Sequence, residues 1–175
     1  MNELLEKAKK IKCFICDVDG VLTNGLLYLD NFGNELKAFH VHDGVGLKLL
    51  MAAGIQVGVI TTSKNAVIDQ RMAQLGIQHY FTGQLEKQNA YEQLKTTLNL
   101  TDEECAYIGD DFPDIPIIKR VGFGIAVHNA RSQVKEYAAW STQESGGCGA
   151  VREACDFILS AQNKLGTAVQ RYLSV

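Results

Sequence analysis

The sequence predicts an α/β fold with a mostly parallel, Rossmann-like sheet and helices on both faces. Three observations carry this. Short apolar runs alternate with longer helix-like stretches along the 175 residues, and parallel strands need such crossover helices between them. Residues 11–16, 55–61 and 105–108 are largely apolar, as expected of buried strands. Each of these runs ends on polar residues: Asp17 and Asp19, Thr61, and Asp110 with Asp111. Ligands of such sheets bind beyond the carboxyl ends of the strands.

The elements follow in order. Residues 2–10 read as a short charged helix, and 11–16 as the first strand. Residues 26–29 and 35–39 flank the turn-rich Asp30-Asn31-Phe32-Gly33-Asn34, so 26–39 is expected to be a β-hairpin. A helix should start at Asp43-Gly44 and run to about Ala53, with Gly54 as its stop. The second buried strand covers 55–61, and a helix covers 65–75 before Gly76. Tyr80-Phe81 reads as a short strand, and 88–98 as a helix. Thr101 and Glu104 have capping-box spacing, and the strand 105–108 follows within a turn. Residues 112–120 should be helical with Pro113 in the first turn, 121–127 a strand, and 130–138 a helix. Gly146-Gly147-Cys148-Gly149 reads as a loop, 150–165 as the last helix, and 166–175 as a tail. No linker or repeat divides the chain, so one domain over 1–175 is expected.

Composition narrows the class. Apolar residues make up 46% and charged residues 21%, ordinary for a globular protein. A net charge of -3 gives no basic footprint for nucleic acid or a membrane surface. No apolar run approaches the ~20 residues of a spanning helix, and the charged N-terminus is unlike a signal peptide. A cytoplasmic protein is expected. The cysteine count of five is odd, which rules out complete internal pairing. Cys13 and Cys16 form a CxxC inside a strand, where residues three apart face opposite sides. They read as core residues.

The chemistry starts at Asp17-Val18-Asp19-Gly20-Val21-Leu22-Thr23. Two acids at the end of a buried strand are costly unless something positive lies beside them. Mg²⁺ would neutralise them, since it favours one or two carboxylates with waters and phosphate oxygens. Gly20 lets the backbone turn sharply there.

Asp-x-Asp-Gly-x-Leu-Thr, then the strand-terminal Thr61, the lone Lys87 and Gly109-Asp110-Asp111-x-x-Asp114 resemble the haloacid dehalogenase superfamily. The resemblance covers nearly the whole chain. Residues 35–44 and the loop 146–153 are more closely similar to its 3-deoxy-D-manno-octulosonate 8-phosphate (KDO 8-phosphate) phosphatase family. The resemblance implies that Asp17 is the nucleophile, forming an aspartyl-phosphate, and that Asp19 is the general acid and then base. It implies Mg²⁺ held by Asp17, the backbone carbonyl of Asp19, and Asp110. Asp111 would act from behind the metal ligands or through a bound water, and Asp114 is expected to support the loop or cap the helix rather than bind metal. Thr61 would donate to the phosphoryl group, and Lys87 would balance charge. His40, His42, Asp43, Gly44, Lys48 and Arg71 are the implied substrate contacts. The partner is a phosphorylated sugar acid, with neither nucleic acid nor membrane involved. The implied reaction serves lipopolysaccharide sugar biosynthesis.

The intervals leave no room for an inserted lid, so the fold should be capless. The resemblance implies a homotetramer in which the hairpin and the tail cover a neighbour's site. Several positions depart from the family. Thr61-Thr62-Ser63 stands where Thr-Gly-Arg is common, and His42, Lys48 and Cys148 stand where arginines are frequent. Arginine grips carboxylates bidentately, and these residues cannot. A nonulosonate 9-phosphate is therefore the rival substrate. A phospho-receiver signalling domain is the non-enzyme alternative, although its acids, Thr and Lys come in a different chain order.

Overall fold

The computed structural model describes residues 2–173. Its main sheet has six strands, β1 (Cys13–Cys16), β4 (Gln56–Ile60), β5 (His79–Phe81), β6 (Cys105–Gly109), β7 (Phe123–Ala126) and β8 (Trp140–Ser141). All pairings are parallel and the spatial order is β5-β4-β1-β6-β7-β8. The chain builds outward from β1 to β4 and β5, then returns to the other side of β1 with β6. The crevice at the carboxyl ends of β4, β1 and β6 is the switch point where α/β sheets take ligands.

The helices that cover the sheet are α1 (Asn2–Lys9), α2 (Val41–Ala52), α3 (Ala66–Leu75), α4 (Lys87–Thr97), α5 (Ile115–Ile118), α6 (Ser132–Tyr137), α7 (Ala150–Ala161) and α8 (Leu165–Leu173). Every residue of β1 and of β6 is buried, which explains why both read as continuous apolar runs. Cys13, Cys16 and Cys155 are fully buried free thiols in that core, and burial raises all three thiol pKa values. Asn65 caps α3 by accepting from the Val67 amide at 2.9 Å, and Gly76 ends it in the left-handed region at φ 76°.

The expected hairpin is present, two other expected elements need correction, and one strand was missed. The hairpin forms, but its strands β2 (Tyr28–Leu29) and β3 (Glu35–Leu36) are two residues each and stand apart from the main sheet. Its turn is built by Asp30, whose carboxylate accepts from the Phe32 and Asn34 amides, both at 2.8 Å. The helix expected over 112–120 is a 3-10 turn at Phe112–Asp114 followed by one α-turn. Pro113 and Pro116 remove two backbone donors within four residues, so no longer ladder forms. The expected tail is helical from Leu165 to Leu173, and residues 174–175 lie outside the described residues. β8 was missed because two residues carry no readable period. Between β1 and β4 the chain makes only the hairpin and α2, and between α4 and β6 only a 3-10 turn at Asp102–Glu104. Among the described residues no cap domain is present.

Just before β6, Asp102 gathers charges that hold α4 to the segment after α5. It accepts from Tyr91 Oη and Lys95 Nζ, each at 2.7 Å, and from Arg120 Nε at 2.8 Å. Burial alone would raise its carboxyl, but these donors outweigh burial and hold it down at about 2. A carboxylate depressed in the folded state stabilises above its unfolded pKa of about 3.9 and loses that effect as pH falls toward 2. The side chain is 33% exposed, so solvent screening reduces the net effect to about 1 kcal/mol. We expect Asp102→Asn to lower the melting temperature by about 3 °C at pH 7. The gap between variant and parent should narrow in thermal melts stepped from pH 5 to pH 2. A gap independent of pH would refute the assignment.

Candidate active site

β1 ends at Cys16, one residue before Asp17, and β6 ends at Gly109, one residue before Asp110, and these two strands are neighbours. Asp17 and Asp110 therefore emerge side by side. Oxygen atoms of Asp17, Asp110 and Asp114 all lie within 4.8 Å of one another. Lys87 reaches them from α4. Its position shares the inward face with Ala90, Tyr91 and Leu94, the i, i+3, i+4, i+7 stripe of a helix packed on a sheet. That face aims the ammonium into the crevice, 2.9 Å from Asp17 Oδ2 and 2.7 Å from Asp114 Oδ1.

Asp114 is fully buried and both its oxygens are committed. Oδ1 accepts from Lys87 and from Tyr107 Oη at 2.7 Å. Oδ2 accepts from the backbone amides of Asp110 at 2.9 Å and Asp111 at 3.2 Å. It therefore braces the Asp110 loop. Asp111 is exposed, and its Oδ1 accepts from the Phe112 amide at 2.8 Å, capping the turn.

Three buried or half-buried carboxylates thus share one ammonium. Burial, and then the charge of Asp114, push Asp17 up to about 8 against the pull of Lys87. Burial, with Asp114 and Asp111, pushes Asp110 up to about 7. Burial alone would lower Lys87, yet the two carboxylates beside it raise it on balance. Asp110 Oδ1 is buried with no partner among the described residues. A second cation would satisfy that oxygen and the excess negative charge, and oxygen donors of this kind suit Mg²⁺.

The turn after β1 is braced by Thr23, whose Oγ1 accepts from the amides of Gly20 and Gly25, both at 3.3 Å. Gly20 has φ +88°, and a Cβ there would overlap the Asp110 carboxylate. Gly146 packs on the Gly20 carbonyl with no room for a side chain. Its amide donates to Asn129 Oδ1 at 2.8 Å, so the glycine loop closes one side of the crevice. Thr61 closes the other. It is 1% exposed at the end of β4, and its Oγ1 accepts from the Ser63 amide at 3.1 Å, which leaves the hydroxyl proton free to donate.

Residues 74–154 match the haloacid dehalogenase-like hydrolase family. The KDO 8-phosphate phosphatase KdsC of Yersinia pestis is 44% identical over 164 residues, covering 94% of this chain and 88% of that protein. The chain belongs to the KDO 8-phosphate phosphatase family. A solved Legionella pneumophila chain, described as a HAD superfamily (subfamily III A) hydrolase, shares 66% identity at a TM-score of 0.97, over 100% of this chain and 96% of that one. The Moraxella catarrhalis KDO 8-phosphate phosphatase is 42% identical with a TM-score of 0.96, covering 98% of this chain and 99% of that chain. That structure holds a magnesium ion, a phosphate ion and a KDO molecule.

Against this family background, the expected substrate contacts divide. His40 and His42 meet edge to face at 4.9 Å and line an open groove with Glu144, Cys148 and Arg152. Lys48 is exposed on α2. Asp43 and Gly44 are both buried on α2, each packed against another element. Asp43 is 1% exposed and its Oδ1 accepts from the Arg152 amide at 2.8 Å, capping α7 from a distance. Gly44 is buried beneath the Arg71 guanidinium, where a Cβ would collide. Arg71 lies 5.5 Å over the Phe39 ring, and Arg152 is paired with Asp156 at 2.8 Å.

Sequence reasoning missed Lys37 and Tyr107. Lys37 Nζ donates to Asp19 Oδ1 at 2.5 Å. Its signal was faint, because alternation in a short hairpin does not say which face turns inward. Tyr107 lay in an apolar run, where a phenol reads as core.

Removing Asp114 would strand the Lys87 ammonium and the Tyr107 hydroxyl and free two loop amides. We expect Asp114→Ala to cost about 3 kcal/mol in chemical denaturation. It should also weaken Mg²⁺ binding at least ~10-fold by calorimetry, since misplacing a supporting partner typically costs that much. Unchanged metal affinity would show that Asp110 does not need this brace.

Proposed function

We propose that this chain is a Mg²⁺-dependent phosphatase that hydrolyses KDO 8-phosphate to KDO and phosphate through an aspartyl-phosphate on Asp17. The observation that supports this most is the charge balance of the crevice: Asp17, Asp110 and Asp114 around one ammonium, with one buried Asp110 oxygen unpartnered. Asp17, Asp110 and the Asp19 carbonyl are the groups that would hold Mg²⁺. When bound, the ion offsets the repulsion between a carboxylate nucleophile and a phosphate dianion.

The residues do the rest. Asp17 attacks phosphorus in line, and the ester P–O bond breaks with its electron pair moving to the sugar oxygen. Asp19 gives that oxygen a proton. Water then attacks the aspartyl-phosphate, Asp19 takes a proton from it, and Asp17 is released. Lys87 holds the Asp17 carboxylate and neutralises charge on the phosphoryl oxygens. Thr61 donates to one of those oxygens.

The reaction would serve lipopolysaccharide sugar synthesis in the cytoplasm. No helix among the described residues is long and apolar enough to cross a membrane. Phosphate release with Mg²⁺ should favour KDO 8-phosphate over a nonulosonate 9-phosphate and common hexose phosphates. Asp17→Asn should lower turnover at least ~10⁴-fold while leaving the fold intact by circular dichroism. Preference for the nine-carbon ester would mean that Thr62, Ser63 and Cys148 redirect the pocket. Full activity in the Asp17 variant would overturn the mechanism.

Without a cap, the crevice is open to water, which weakens its electrostatics. Exposed apolar side chains lie on elements that could cover it. On the hairpin, Leu27 is 69%, Leu29 68% and Phe32 91% exposed, and on α8 Tyr172 is 65% exposed. Side chains exposed in this way suit contact with another copy of the chain. The chain is a homotetramer in which these elements seal a neighbour's site. Leu29→Glu should shift the particle to smaller species in light scattering and lower activity several-fold. A monomeric parent protein with full activity would refute this arrangement.

A further inference from the structure

Lys37 has no part in the chemistry assigned so far, yet its side chain is only 3% exposed. Its ammonium contacts Asp19 Oδ1 at 2.5 Å and Glu35 Oε1 at 2.7 Å. Lysine is rarely buried unless paired, and this one follows a two-residue strand with open solvent nearby. The two carboxylates hold it inward. Lys37, and to a lesser extent Asn65, hold the Glu35 carboxyl below the usual carboxylate range. The path Asp19–Lys37–Glu35 ties the loop after β1 to the hairpin.

Asp19 is otherwise loosely held. Its side chain is 36% exposed, and Lys37 is its only ion-pair partner among the described residues. A general acid must sit within hydrogen-bond reach of the oxygen that it protonates, held within about 0.5 Å of the productive geometry. A solvent-facing carboxylate with no partner would spread over several rotamers.

We propose that Lys37 is the positioning residue for the acid–base carboxylate of Asp19, and that the hairpin is the arm that delivers it. By occupying Oδ1, Lys37 leaves Oδ2 as the working oxygen. The proton on Oδ2 passes to the ester oxygen as the P–O bond breaks, and Oδ2 later takes one from the hydrolytic water. Lys37 keeps its own protons throughout. This rests on the phosphatase reading above.

The test compares kcat/KM for two esters, because this ratio reports the steps up to formation of the aspartyl-phosphate. KDO 8-phosphate has a sugar oxygen that needs a proton to leave, whereas p-nitrophenyl phosphate has a leaving group that does not. Asp19→Asn sets the size of the leaving-group effect. Lys37→Met should lower kcat/KM roughly 30-fold on the sugar phosphate and less than about 3-fold on the aryl ester, a smaller loss than the ~10²–10⁴-fold of general-acid catalysis itself because Asp19 remains. Lys37→Arg should recover part of the loss. Equal losses on both esters would mean that Lys37 serves the fold or the metal, and no loss would mean that Asp19 is placed without it; either overturns the proposal. If Lys37→Met does not fold, Glu35→Gln is read by the same ratio: a smaller loss confined to the sugar phosphate supports the proposal, and a uniform loss or none overturns it. A parent protein that releases phosphate from neither ester overturns the phosphatase reading itself, and this proposal with it.

Discussion

The structure depends on a buried charge imbalance at the carboxyl ends of β1 and β6. Asp17, Asp110 and Asp114 converge on Lys87, and neither burial nor sheet geometry favours that. Replacing such a cluster with well-packed apolar residues often leaves a protein as stable or more so. The fold instead commits much of its local structure to keeping the cluster in place. The inward face of α4 aims the ammonium, the 3-10 turn brings Asp114 back under its own loop, and Tyr107 donates a hydrogen bond from the middle of β6. A glycine at 20 spares the space that the Asp110 carboxylate fills. These features are understandable as preorganisation for a phosphoryl group and its metal, where fixed charges do the most in a site sheltered from water.

Much of this was legible in the sequence because the signals were local. A continuous apolar run that stops at a carboxylate states both the strand and the end at which chemistry occurs. That is why β1, β4 and β6, and with them Asp17, Thr61 and Asp110, can be read from the sequence as strand ends that share one crevice. Lys87 could be named from its place in the order of motifs, and its inward stripe explains how it gets there. Asp114 read as a loop support or helix cap rather than a metal ligand, and it accepts from the amides of Asp110 and Asp111.

What escaped reading was set by tertiary context. Asp43 and Gly44 lie in a stretch that resembles substrate-contacting sequence, but α2 begins at Val41 and turns both inward. There Asp43 caps α7, whose start lies more than a hundred residues away in sequence, and no local pattern announces such a cap. Gly44 takes its role from Arg71 on α3. β8 and the broken helix after Asp110 failed for a simpler reason. Elements of two to four residues are too short to carry a period, and proline decides their ends.

The hairpin shows a deeper limit of pattern reading. In Glu35-Leu36-Lys37 the usual expectation turns leucine inward and the charges out. The structure inverts it: Leu36 is 60% exposed, and the Lys37 side chain is 3% exposed. Solvation by itself would not choose this arrangement for an isolated hairpin. It becomes favourable only because Asp19 offers a carboxylate at the right distance, and because the apolar face left outside can be covered by another surface. One inversion therefore presents both faces of the hairpin for use. The inner face meets the acid of the crevice, and the outer face is apolar enough to dock. An element with almost no core of its own is held by whichever surfaces it joins, which is a reasonable design for a site that has no lid of its own.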